Sequence, residues 1–221
     1  MTVGMGRRGE HTGLGRYLVI GWWQSSLELV PRQLSTLLAG ALLGSTGAGL
    51  FQLARDVANV LARPALMLRQ AALPDLARVW HAGGRSFVAA TLRLSLVMAG
   101  PALALVALIA PVARPGLTAV FGPGYATAAP LLMLLLLAAS LELAAAPLRA
   151  AAYAMGRPGW ILTVQAVATI IYLALFIPLA QTWGLVGAGI AALALAAIFL
   201  GGLFVTVLRA PPTDAVLASP R

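Results

Sequence analysis

"PGWILTVQAVATIIYLALFIPLAQTWGLVGAGIAALALAAIFLGGLFVTVL", residues 158–208, runs for 51 residues without a charge. One crossing of bilayer hydrocarbon takes about 20 helical residues. The stretch is too long for one crossing and suits two joined by a short turn. "IPLAQTWG" at 177–184 supplies that turn, with Pro178 and Gly184 as its punctuation. The apolar residues run continuously rather than alternating, which fits helices and not the strands of a membrane barrel. In hydrocarbon each backbone group must find its partner inside the protein, and a helix does this within one segment.

The rest of the chain has the same character. Its 221 residues are 61% hydrophobic and 10% charged, with a mean hydropathy of +0.93. A soluble domain carries about 25% charged residues, so composition predicts an all-α integral membrane protein. All fifteen basic residues are arginine, and the formal net charge is +9. These arginines are spread between apolar runs, which topology explains better than nucleic acid does. Without cysteine there is no disulfide framework, thiol nucleophile or Cys-ligated metal. Two distant histidines make no metal site. We expect no enzyme activity, cofactor or nucleic-acid partner. A membrane-embedded transferase would need Asp, His or Glu clustered in a surface loop, and the loops offer only Asp75 and His81.

Charge-free runs set the other spans. Twenty uncharged residues separate Arg93 from Arg114, and 27 separate Arg114 from Glu142. The first seventy residues are less plain. Segment 17–44 contains Glu28 and Arg32, and segment 48–74 contains Arg55, Asp56, Arg63 and Arg69. On a wheel of roughly 100° per residue, Gln52, Arg55, Asp56, Asn59, Arg63 and Gln70 fall within about 100° of one another. Gln24, Glu28, Arg32 and Ser35 fall within about 80°. Two neighbouring helices thus each carry a polar stripe. They either lie on the membrane with those stripes in water, or span it with the stripes lining a water-filled cavity. Segment length and the "GSTGAG" turn at 44–49 favour crossing.

The expected architecture is six transmembrane helices at about 17–44, 48–74, 88–113, 126–152, 158–180 and 184–208. A polar tail (1–16) precedes this membrane lobe (17–209), and a disordered tail (210–221) follows it. With both termini inside, nine arginines (7, 8, 16, 78, 85, 149, 157, 209 and 221) lie in cytoplasmic segments against Arg114 outside. All five tryptophans fall near span ends, as an interfacial belt requires.

"FGPGYATAAPLLMLLLLA" at 121–138 resembles a segment of the polysaccharide flippase branch of the multidrug/oligosaccharidyl-lipid/polysaccharide exporter superfamily. There a similar turn opens a helix of the C-terminal lobe. Phe121, Gly122, Pro123, Tyr125, Ala128 and Pro130 keep the pattern. Gly124 stands where an acid is common, so any role of that acid is absent here. "TGAGLFQLARDVANVLARPALMLRQAALPDLAR" (46–78), "AAYAMGRPGW" (151–160) and "WGLVGAGIAALALA" (183–196) extend the resemblance, in consistent order, over residues 20–208.

The resemblance implies one lobe of a twelve-helix flippase. Such proteins move lipid-linked oligosaccharide or polysaccharide precursors across the bacterial inner membrane. The implied partners are a lipid-linked sugar pyrophosphate, membrane lipids and a second six-helix lobe. That lobe is either a separate chain or a second copy, and truncation or a split gene ranks ahead of a homodimer. Arg32, Arg55 and Arg63, with Gln52 and Asn59, are the candidate cavity residues, since guanidinium groups bind pyrophosphate through charge-assisted hydrogen bonds. Glu28, Asp56 and Glu142 are candidates for proton or sodium coupling. Glu28, four residues before Arg32, also suits a local ion pair. The competing functions are a multidrug/cation exporter of the same superfamily and a non-transporting membrane scaffold.

Overall fold

The computed structural model describes residues 31, 33–60, 78 and 86–209. These residues are helical almost throughout and include no strand. Four helices are long and apolar enough to cross a membrane: α1 (Gln33–Val60), α2 (Ser86–Phe121), α3 (Ala129–Ala154) and α4 (Pro158–Leu208). A 3-10 turn, Pro123–Ala128, leads into α3. This is compatible with a multi-pass membrane protein.

Two of the four double back on themselves. At about 1.5 Å per residue a straight α4 would measure roughly 77 Å, more than twice a hydrocarbon core. It breaks at Gly184, whose φ of 57° and ψ of −131° belong to no helix. Val164 and Gly202 would stand about 57 Å apart along one straight helix. Yet a methyl built on Gly202 would lie 3.4 Å from Val164 Cβ. The two arms of α4 are therefore antiparallel neighbours. Just past the bend, a methyl on Gly187 would overlap the Leu179 carbonyl oxygen, so the reversal closes around a glycine that no other residue replaces. The sequence places this turn at 177–184; in the structure helix persists through Pro178 to Trp183 and Gly184 alone reverses the chain. Beyond Pro178 the Thr182 hydroxyl donates to the Pro178 carbonyl at 2.9 Å.

α1 folds back in the same way. Gly44 has a φ of 75°, and Arg55 donates hydrogen bonds to Ser35 and Thr36. A straight helix would hold Ser35 and Arg55 about 30 Å apart. α1 is thus a hairpin of two arms, 33–43 and 45–60.

α2 is longer than the expected 88–113. It continues through Pro111, Arg114 and Pro115 to Phe121, so Arg114 lies inside a helix rather than in a loop. Gly122, with φ 98°, then opens the turn, and Pro123 starts the 3-10 segment. Gly124 has no left-handed backbone, so the turn expected at 122–124 rests on Gly122 alone.

α3 is the central element. Seventeen of its 26 residues are buried, and they are mostly Ala and Leu. Two apolar clusters stack along the bundle. One gathers Ala39, Phe51, Ala54 and Ala58 of α1, Leu131–Leu136 positions of α3, and Tyr172, Phe176, Ala180 and Ala188 of α4. The other gathers Phe87, Leu148, Ala150–Ala152 positions, Ile161, Phe199, Leu203 and Val207. The second cluster marks the end of the bundle where α2 starts, α3 ends, and both ends of α4 return. Arg157 and Arg209 sit at this end, which we call the basic end.

Candidate functional site

A polar cluster lies between the two arms of the α1 hairpin and the first arm of α4. Phe51, Ala54 and Ala58 are buried and fix the packing face of the second α1 arm. Arg55 lies at the edge of that face, half-buried. Its guanidinium donates to the Thr36 hydroxyl at 3.2 Å and to the Ser35 hydroxyl. The same group lies over the Phe51 ring, with Cζ 4.6 Å from the centroid. Stacking uses the face of the guanidinium while its N–H donors radiate in the plane.

Ser35 is buried and donates to the Pro31 carbonyl. Its second neighbour is the hydroxyl of Tyr172 on α4, which hydrogen-bonds with both Ser35 and Arg55. Tyr172 is itself buried and packs edge-on against Phe176 at 5.6 Å, and Phe176 packs edge-on against Phe51 at 6.1 Å. An aromatic wall thus backs the guanidinium. In a low-dielectric interior a satisfied network of this kind strengthens every bond within it.

The cluster reaches the surface through a second chain of bonds. Thr36 Oγ1 donates to Gln52 Oε1 at 3.1 Å, and Gln52 Nε2 donates to both Asp56 carboxylate oxygens at 3.0 and 3.2 Å. Gln52 and Asp56 are exposed, while Asn59 is half-buried. The network therefore runs from an exposed carboxylate to a buried tyrosine across three helical arms.

The stripes foreseen in the sequence meet here in a particular way. Gln52, Arg55, Asp56 and Ser35 come together; Asn59 lies one turn further along the same arm. Among the described residues the two arms bond to each other across the hairpin, and Gln52 and Asp56 are exposed. Glu28, Arg32 and Arg63 lie outside the described residues. Glu142 is placed elsewhere, as the exposed acid of the otherwise buried α3.

Two residues of consequence escaped the sequence reading. Tyr172 sits inside a long apolar run, where nothing marks it as polar-facing. Arg149, within the expected 126–152 span but counted there only as a cytoplasmic-side arginine, lies inside α3, which runs to Ala154. It is half-buried, with Cζ 4.4 Å from the Phe199 ring centroid.

No family model matches the chain, and neither a curated protein nor a solved structure does.

Proposed function

We propose that the chain is one six-helix lobe of a membrane flippase that moves a lipid-linked oligosaccharide or polysaccharide precursor across a bacterial inner membrane. The observation that carries this reading is the Arg55 cluster. A cation inside a membrane protein is by default a candidate for a substrate or ion pathway. The Ser35 and Thr36 hydroxyls and the Phe51 ring orient its guanidinium. A guanidinium fixed in this way presents a planar set of donors of the kind that binds phosphate. An anionic head group is also the part of such a lipid that hydrocarbon resists most.

The bends at Gly44 and Gly184 support counting α1 and α4 as two crossings each, which gives six with α2 and α3. We assign the basic end to the cytoplasm, because Arg157 and Arg209 lie there and short cytoplasmic loops collect arginine. Both termini are then cytoplasmic. Asp56, joined to Arg55 through Gln52 and Thr36, is the coupling acid best placed to report ion binding to the arginine; Glu142 and Glu28 remain coupling candidates. Arg32 and Arg63 extend the phosphate-binding set. The second lobe is a separate chain or a second copy, and the protein needs no cofactor and catalyses no covalent chemistry.

The test is reconstitution in liposomes with a fluorescent lipid-linked pyrophosphate sugar, scored by how much probe becomes accessible to an impermeant quencher. Full-length protein should accelerate exchange, and Arg55→Gln and Arg63→Ala should slow it. Exchange no faster than in protein-free liposomes, whether the chain is alone or coexpressed with a lobe encoded beside it, would sink the reading.

A further inference from the structure

Arg149 is a cation with an unusual posture. Its Cα lies five residues before the end of α3, about 8 Å from the basic end. Long side chains that close to an interface ordinarily snorkel toward water. Side chains of a helix lean toward its N-terminus, and α3 runs toward the basic end, so Arg149 leans the other way. Its ring partner shows the result. Phe199 lies nine residues before the end of α4, about 14 Å deep, and the guanidinium sits over that ring at 4.4 Å. The charge thus points away from the basic end and lies against an aromatic face.

The Arg55 cluster uses the same construction at another depth. Arg55 stacks on Phe51 and meets Tyr172, which is fourteen residues, about 21 Å, from the start of α4. The two aromatic-backed guanidinium groups thus stand about 7 Å apart in depth, with Arg149 nearer the basic end.

We propose that Arg149, seated on Phe199, is a second phosphate-binding station for the lipid-linked pyrophosphate, engaged before Arg55 as the head group leaves the cytoplasmic leaflet. This rests on the flippase reading above. Two stations at staggered depths let each guanidinium take the anion before the other releases it. The barrier of carrying a bare phosphate across hydrocarbon is thereby divided. Phe199 is the positioning residue, because its ring turns Arg149 inward.

The experiment measures binding of undecaprenyl pyrophosphate to the full chain in phosphatidylcholine nanodiscs, by thermophoresis. Circular dichroism and thermal midpoints accompany each variant. Arg149→Gln should weaken binding roughly tenfold or more, the scale of a lost charged hydrogen bond. Arg149→Lys should fall between, and Phe199→Leu should cost a few-fold with helicity intact. Wild-type affinity in Arg149→Gln, with Arg55→Gln impaired, overturns the station and leaves the flippase reading standing. Wild-type affinity in both variants removes that reading as well. A parallel set of discs containing phosphatidylglycerol separates the two sources of lipid phosphate. If Arg149→Gln loses only a preference for that lipid and keeps its affinity for undecaprenyl pyrophosphate, Arg149 is an anchor for bulk lipid and the station is overturned.

Discussion

Arg55 shows what a single charge needs in order to live between membrane helices. It has two hydroxyl acceptors, a tyrosine beside it and a ring beneath it. Lysine offers the charge without the planar fork, so Arg55→Lys should lose the simultaneous reach to Ser35 and Thr36. Tyr172→Phe removes one hydroxyl and keeps the ring. Hydrogen bonds between membrane helices average about 0.6 kcal/mol, so Tyr172→Phe should lower stability by roughly that much. Equilibrium unfolding in mixed micelles would measure it. A loss near zero would mean that the tyrosine hydroxyl is satisfied equally well by solvent. The sequence exposes Arg55 and Asp56 plainly, because a charge in an apolar run stands out. It hides Tyr172, whose ring is apolar and whose hydroxyl matters only once α1 is packed against α4. It also hides the pairing of Ser35 and Thr36 with Arg55, which depends on the faces two arms present to each other.

At the scale of elements, glycine decides the two reversals. Gly184 has a backbone that a side chain strains, by about 1–3 kcal/mol in such regions, and Gly187 has no room for a methyl. Gly184→Ala should therefore reduce stability moderately, and Gly187→Val should prevent the arms of α4 from closing and deplete folded protein from membranes. A positive test of the hairpin is available because the chain lacks cysteine. The gap between Val164 Cβ and a methyl at Gly202 is 3.4 Å, near the 3.5–4.5 Å of disulfides. The Val164→Cys, Gly202→Cys double variant should crosslink within one chain on mild oxidation. An α4 that stayed straight would give no such band. The sequence reads these helices well where charge-free length is the signal, as in residues 158–208. It reads boundaries less well. Pro111 and Pro115 look like a stop, yet α2 passes both, as membrane helices tolerate proline where their surroundings re-satisfy the freed backbone groups.

For the whole molecule, orientation and assembly are the remaining terms. Tyr125 and the Gly122 turn lie at one end, and Arg157 and Arg209 at the other. Single cysteines at Gly124 and Arg157 should label from opposite sides of the membrane with an impermeant maleimide, Gly124→Cys from outside. Labelling of both from one side would mean that α3 does not cross, which contradicts the proposed topology. Exposed Gln52, Asp56 and Glu142 give the lobe polar groups on its outer surface, where a second lobe would complete a cavity.

The central claim is that the Arg55 cluster receives a lipid phosphate. It is tested most directly by native mass spectrometry of the full chain with undecaprenyl pyrophosphate and, separately, with tetraphenylphosphonium. The expected result is retention of the anionic lipid by the wild type, at least tenfold weaker in Arg55→Gln on the scale of a lost charged hydrogen bond, with no specific uptake of the cation. Uptake of tetraphenylphosphonium that depends on Asp56, with no retention of the anionic lipid, would contradict the claim and make the chain part of a cation exporter.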